Sequence, residues 1–172
     1  MLEKKIIDKQ EFALCLGQNG GKITIGGYDE SIQANSDEHV EWFALKQPLS
    51  HYKINLNRIQ VGSVEIQNPP ATGFVDSGTT FAYLSRTQKT NVDNAIMELC
   101  ESGAYKCLGV RRRQFCWNFE VGKNGRSLKD YFQSYPVLYF INQEEGAIRW
   151  YPSEYFYAEE PGLYCLAIDP LS

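Results

Sequence analysis

Short apolar runs, each closed within a few residues by glycine, proline or a polar cluster, set the strongest limit on what this chain folds into. Such runs match the length of β-strands. Phe12-Ala13-Leu14-Cys15-Leu16 stops at Gly17-Gln18-Asn19-Gly20-Gly21, a turn. Lys22-Ile23-Thr24-Ile25 alternates as a half-buried strand does and stops at Gly26-Gly27. The polar stretch from Tyr28 to Glu41 reads as a surface loop, after which Trp42-Phe43-Ala44-Leu45 restarts the sheet. From Tyr52 to Val61 the alternation slips by one residue near Asn57-Arg58, which predicts a bulge or bend. Val64-Glu65-Ile66, Phe115 to Phe119, Tyr135 to Ile141, Gly146 to Tyr151 and Tyr164 to Ile168 supply further strands. Ser85 is an N-cap for the one strong helix, about Arg86 to Leu99, whose Val92, Ile96 and Leu99 form a single apolar stripe. Ser127 to Gln133 reads as a short helical turn. Eleven Tyr, nine Phe and three Trp support the β reading.

At 172 residues the chain can bury one ordinary core. A net charge of −4 gives no ground for nucleic-acid binding. Arg111-Arg112-Arg113 is the local exception, read as a solvated basic loop balancing nearby acids, with a docking patch as the alternative. No apolar run approaches the ~18 residues that span a bilayer, and Met1 to Gln10 is too charged for a signal peptide. Cys15, Cys100, Cys107, Cys116 and Cys165 form no Cys-x-x-Cys, and His39 and His51 lie far from all of them, so neither zinc nor any other cofactor is expected. Disulfides fit better, with one thiol left over.

The densest local chemistry lies at Gly73-Phe74-Val75-Asp76-Ser77-Gly78-Thr79-Thr80-Phe81-Ala82-Tyr83-Leu84. A carboxylate ends an apolar run and is followed at once by three hydroxyls and a glycine. Strands avoid Asp and Gly; hydroxyls can donate to an ionised carboxylate and fix its orientation. Asp-Ser-Gly alone is also an ordinary turn. The longer string resembles the second catalytic-aspartate motif of the pepsin-like aspartic proteases, and the flanking segments resemble the C-terminal lobe of that family. Phe12 to Gly17 followed by Gly-Lys-Ile-Thr-Ile-Gly-Gly-Tyr-Asp, ending at Gly26, Gly27, Tyr28 and Asp29, is similar to the opening of that lobe. Trp42 to Leu45, Tyr52 to Leu56, Phe115 to Trp117, Tyr135 to Phe140 and Tyr164 to Ile168 follow in the family's order.

The resemblance implies a mainly β acid-protease lobe of twisted sheets with one or two short helices. Residues 1–10 would be the end of the inter-lobe connection and 11–172 most of the C-terminal lobe, with both ends cut short of the family's pattern. It implies an aspartic endopeptidase acting on a peptide or protein substrate, with Asp76 as one of two catalytic carboxylates. The other belongs to an N-terminal lobe that this sequence does not contain. Two such carboxylates share one proton, which lets one activate water and the other act as acid; aspartic proteases are an established instance. By the same resemblance Ser77 braces the two aspartate loops, Gly78 donates its N–H toward Asp76, Thr79 bonds the outer carboxylate oxygen, and Thr80 meets the substrate backbone with Gly78 and Thr79. Tyr83 reads as a core or pocket-wall residue, and both histidines as surface residues. Cys116–Cys165 matches the family's long-range bridge, Cys100–Cys107 could close a local loop, and Cys15 is the odd thiol. Cysteines and resemblance together place the chain in the secretory pathway, outside the cell or in a lysosome-like compartment. The alternatives are a catalytically silent peptide-binding or inhibitor-type lobe, an inactive fragment, and a homodimer of single lobes.

Overall fold

The computed structural model describes residues 6–9, 11–17, 20–28, 43–46, 48, 51–143 and 146–171. Trp42, His39, Asp29 and most of the polar 28–41 stretch lie outside the described residues. The chain divides into two compact units, Met1–Val40 and Glu41–Ser172. In the first, β1 (Phe12–Gly17) and β2 (Gly20–Ile25) form an antiparallel hairpin with Gly17 opposite Gly20. Its register sets Phe12 against Ile25 and Leu14 against Ile23, so alternation puts four apolar side chains on one face.

The second unit opens with β3 (Lys53–Asn55) and β4 (Arg58–Val61), separated at the predicted phase slip. There the Asn57 N–H leaves the strand pattern and donates to the Ile141 carbonyl at 2.7 Å. β5 (Val64–Ile66) returns antiparallel on β4. The turn between them needs Gly62, which has φ +55° and whose added Cβ would lie 2.9 Å from the Tyr105 hydroxyl. β6 (Thr72–Phe74) pairs with β3, and β7 (Ala82–Leu84) leads into α1 (Arg86–Glu101). Ser85 and Gln88 cap α1 reciprocally, side chain to backbone in both directions. The expected stripe of Val92, Ile96 and Leu99 is buried, with Ala95 and Asp93 beside it, and α1 packs on β4, β5 and β7.

Next come β8 (Val110–Arg113), β9 (Cys116–Asn118), α2 (Leu128–Gln133), β10 (Leu138–Ile141), β11 (Ala147–Trp150), α3 (Pro152–Tyr155), β12 (Phe156–Glu160), β13 (Leu163–Leu166) and β14 (Ile168–Pro170). They complete two four-stranded sheets, β11-β10-β4-β5 and β12-β13-β9-β8, and a parallel pair, β14-β7. Several expectations need correction. Arg111, Arg112 and Arg113 lie on a strand and not in a loop, because β9 offers them an antiparallel partner. The segment read as one strand from Tyr164 to Ile168 divides at Ala167 into two strands in different sheets. Helix α3 and strand β12 were not foreseen. Trp42 to Leu45 gives, among its described residues, only an isolated bridge from Leu45 to Ile54.

The core of this unit centres on Tyr131, which is fully buried and lies within 5.5 Å, centroid to centroid, of the rings of Phe119, Phe132, Tyr135, Phe156 and Tyr164. Two of the buried tyrosine hydroxyls bond backbone carbonyls, while that of Tyr131 has no partner among the described residues. Tyr155 donates to the Pro136 carbonyl at 2.6 Å and Tyr135 to the Leu108 carbonyl at 2.9 Å. Two disulfides cross-link the unit, Cys100–Cys107 and Cys116–Cys165; the second joins residues directly opposite on β9 and β13. Cys15 is free and exposed.

The bridges close loops with sequence separations of 7 and 49 residues. If loop entropy governs, Cys116→Ala/Cys165→Ala lowers the unfolding free energy by about 4 kcal/mol and Cys100→Ala/Cys107→Ala by about 2.5 kcal/mol. Urea unfolding of both double variants checks this, and the reverse order would refute the entropic ranking.

A second prediction concerns Asp93, which is 4% exposed and pairs with Lys89 at 2.6 Å, while the Lys89 ammonium sits 4.3 Å from the Phe115 ring centre. Burial pushes the Asp93 carboxyl up, and the hydrogen bond and charge of Lys89 pull it only partly back. The folded chain therefore holds this proton more tightly than the unfolded chain. That contribution to stability is present in acid and is lost as pH climbs from the ordinary carboxylate value through the raised one. Asp93→Asn, which does not titrate, gains stability relative to the parent as pH rises from the ordinary carboxylate value through the raised one. Denaturation series across that range measure the slope, and a relative loss would mean that Lys89 outweighs desolvation.

Candidate active site

Asp76 stands on the connection between β6 and β7. The β3–β6 pairing is carried one residue further by the Val75 N–H, which donates to the Tyr52 carbonyl at 3.0 Å. After the turn, the Ala82 N–H donates to the Ala167 carbonyl at 3.0 Å and β7 pairs in parallel with β14. The loop thus leaves one small sheet and enters another, with both ends hydrogen-bonded. Ser85 then starts α1 immediately behind it.

Within the loop the geometry is local. The Gly78 N–H donates to Oδ1 of Asp76 at 2.9 Å, and the Thr79 hydroxyl donates to Oδ2 at 2.6 Å. The Thr79 N–H closes the turn on the Asp76 carbonyl at 3.2 Å. Each carboxylate oxygen therefore has its own donor. A Cβ at position 78 would come within 3.3 Å of Oδ1, a tight contact that would displace the carboxylate by a few tenths of an ångström. Thr79 first, and Gly78 second, hold the Asp76 carboxyl below its usual range, against a smaller opposing effect of desolvation. The carboxylate is exposed.

Ser77 and Thr80 are exposed, and their hydroxyls bond to none of the described residues. They face outward at the same loop without touching the carboxylate's hydrogen bonds. Tyr83 is 46% exposed, which excludes it from the core. Phe74 and Val75, directly before Asp76, are 62% and 59% exposed, and the His51 ring lies 6.1 Å from that of Phe74. An apolar rim beside a polar turn was not read from the sequence, because alternation assigns a face but does not say whether that face is covered. Among the described residues the one cluster with metal-ligand reach is Cys116, Glu159 and Cys165, and its two sulfurs are bonded to each other. It offers no thiolate to an ion.

Comparison with known proteins agrees with this geometry. The family described as eukaryotic aspartyl protease matches residues 1–123, a span that contains the whole Asp76 loop and α1. The chain belongs to the eukaryotic aspartyl protease family. Among solved structures it is similar in fold to the crystal structure of basic 7S globulin from soybean, with a TM-score of 0.62 and 14% identity. That likeness covers 92% of this chain and 42% of the globulin, so the chain spans well under half of the globulin's length. At this identity the likeness concerns fold alone, a β-rich acid-protease lobe. No curated protein sequence matches the chain.

If Thr79 is the main force on the carboxylate, Thr79→Val raises the Asp76 pKa while the Gly78 bond keeps part of the depression. Carboxyl-carbon NMR titration of the parent and variant measures it. An unmoved midpoint would show that the hydroxyl does not hold the charge.

Proposed function

We propose that this chain supplies one catalytic carboxylate, Asp76, to an aspartic endopeptidase whose second carboxylate comes from an N-terminal lobe. The observation that carries this reading is the exposed carboxylate with one donor on each oxygen, fixed between two anchored strands in a chain of this family. A residue on solvent with such local preorganisation is positioned to act on something outside its own unit. On this reading the chain from residue 11 onward is most of the C-terminal lobe, and residues 1–10 are the end of the connection to the other lobe.

The chemistry follows from the hydrogen bonds. A second carboxylate brought within a few ångströms would raise the proton affinity of the pair, because like charges so close do not both ionise. Thr79 and Gly78 favour the charged form of Asp76, and on this reading the partner is the member that carries the shared proton when water is activated. Water between them loses a proton to Asp76 as its oxygen attacks the scissile carbonyl carbon, and the partner protonates the carbonyl oxygen. The tetrahedral adduct collapses with cleavage of the C–N bond: the amide nitrogen takes up the proton from Asp76, and one hydroxyl of the adduct returns its proton to the partner as the carbonyl re-forms. The two apparent pKa values of such a site belong to the pair. Ser77 contributes a hydroxyl toward the partner loop, and Gly78, Thr79 and Thr80 present polar groups to the substrate backbone. The exposed Phe74, Val75 and Tyr83 supply an apolar surround in which these bonds strengthen. Two disulfides and the family are compatible with a secreted or lysosome-like location, and we assign the protein there.

A silent peptide-binding lobe is the second reading, since among the described residues no second carboxylate bonds to Asp76. The two differ in activity. The 172-residue chain alone should not cleave a generic peptide between about pH 3 and pH 6. The full protein with both lobes should do so in a pepstatin-sensitive manner, and Asp76→Asn should lower its kcat by about 10²- to 10⁴-fold. Turnover by the isolated chain that vanishes in Asp76→Asn would favour a homodimer of lobes. Full-length protein indifferent to Asp76→Asn would establish the silent reading.

A further inference from the structure

The remaining unexplained feature is a concentration of positive charge in a chain whose net charge is −4. Arg111, Arg112 and Arg113 occupy β8, the edge strand of the sheet β12-β13-β9-β8, and all four residues of β8 are exposed. Among the described residues no strand pairs with the outer edge of β8. Beside the start of this strand lies a groove of about 420 Å³, lined by Val110, Arg112, Asn118, Phe119, Lys123 and Arg126, with Glu120 as its one acidic residue.

The charges at this site are unequally compensated. Arg113 is paired with Glu159, and Lys123 meets Glu120 at 3.1 Å on an exposed surface, a pair of small energetic value. Arg111, Arg112 and Arg126 make no ion pair with any described residue. Arg112 is met by a neutral amide oxygen, that of Asn118, at 2.8 Å once that amide is oriented to accept. Its charge stays available while its direction is set. Arg126 lines the same groove, and Val110 and Phe119 give it apolar surface.

We propose that the β8 edge and this groove dock an extended acidic peptide segment of a partner protein, added as a further strand. Arginines on an edge strand ordinarily prevent pairing with neutral or basic strands. The same side chains favour an acidic strand, whose carboxylates on one face meet Arg112 and Arg126, the two arginines of the groove. Backbone pairing fixes the register, and alternate residues of the added strand point to the face of Arg112 and the groove. The site does not involve Asp76 and stands whether or not the chain is half of a protease.

The test is fluorescence anisotropy with the full chain and a labelled peptide of alternating Glu and Val. Two companions are needed: the same peptide with Gln for Glu, and the Glu peptide N-methylated at alternate amides. Saturable binding of the Glu peptide is expected, weakening about tenfold between about 50 and 200 mM salt. The Gln and N-methylated peptides should bind at least about fivefold more weakly. Arg112→Gln and Arg126→Gln should each weaken the Glu peptide by about fivefold or more. Arg86→Gln, an exposed arginine at the start of α1, and Asp76→Asn should leave it unchanged. Should Arg112→Gln lower the melting temperature, Arg126→Gln in the turn carries the comparison. No binding, equal binding of the Gln peptide, or indifference to N-methylation overturns the proposal. Binding of a sulfated oligosaccharide in place of the peptide overturns it too and identifies a glycan surface instead.

Discussion

The parallel pairing of Ala82–Leu84 with Ile168–Pro170 is the constraint on which the second unit depends. Parallel neighbours cannot be joined by a tight turn; they need a crossover. Here the crossover is everything from Ser85 to Ala167: α1, both disulfides, the sheet β12-β13-β9-β8 and the aromatic cluster around Tyr131. The pair is only three residues long on each strand, so its own hydrogen bonds hold little. Its stability comes from what the crossover packs. Helix α1 lies against both partners, and Ile168 is buried in the same core as Val92 and Ile96. Loss of that core would separate β14 from β7 and release the end of the Asp76 loop.

The site therefore combines two scales. The carboxylate's orientation is local, set within four residues by Gly78 and Thr79. The position of the loop is long-range, set by Tyr52 on one side and Ala167 on the other. The Cys116–Cys165 bridge serves the second scale, since it staples β9 to β13 two residues before Ala167. This arrangement lets a rigid loop present an exposed charge without burying it. Burial would have raised the carboxyl's proton affinity.

The sequence carried the local scale well and the long-range scale poorly. Asp76, its hydroxyl-rich turn and the Ser85 cap are contiguous features whose chemistry depends on near neighbours. The bend at Asn57-Arg58 was legible because alternation changes phase there, and the structure uses that change to pass an N–H to Ile141. The edge strand of three arginines was not legible, because nothing in Val-Arg-Arg-Arg favours extension until β9 lies alongside. Phe156 to Glu160 was hidden for a similar reason: its last residues are polar and exposed, and pairing with β13 makes it a strand. Ala167 divides two strands because its N–H turns to the Tyr155 carbonyl at 2.7 Å, a contact with a helix that the sequence had not announced.

An acid environment acts on this unit in opposite directions at different carboxylates. Asp130 is held below its usual range, first by the Ser127 hydroxyl and then by the Ser127 N–H, as the partner in the capping box of α2. Its contribution is present above the ordinary carboxylate value and disappears as pH falls through the depressed one. The same sign holds for Asp76. Asp93, inside α1's buried stripe, has the contrary sign and supports the fold more as pH falls. The groups that acid weakens are exposed, at a helix cap and at the loop. The group that acid favours is at the centre of the helix that supports the β7–β14 pair. Falling pH thus loosens the surface first and leaves the crossover core, with its buried neutral tyrosines and its two disulfides, to hold the loop in place.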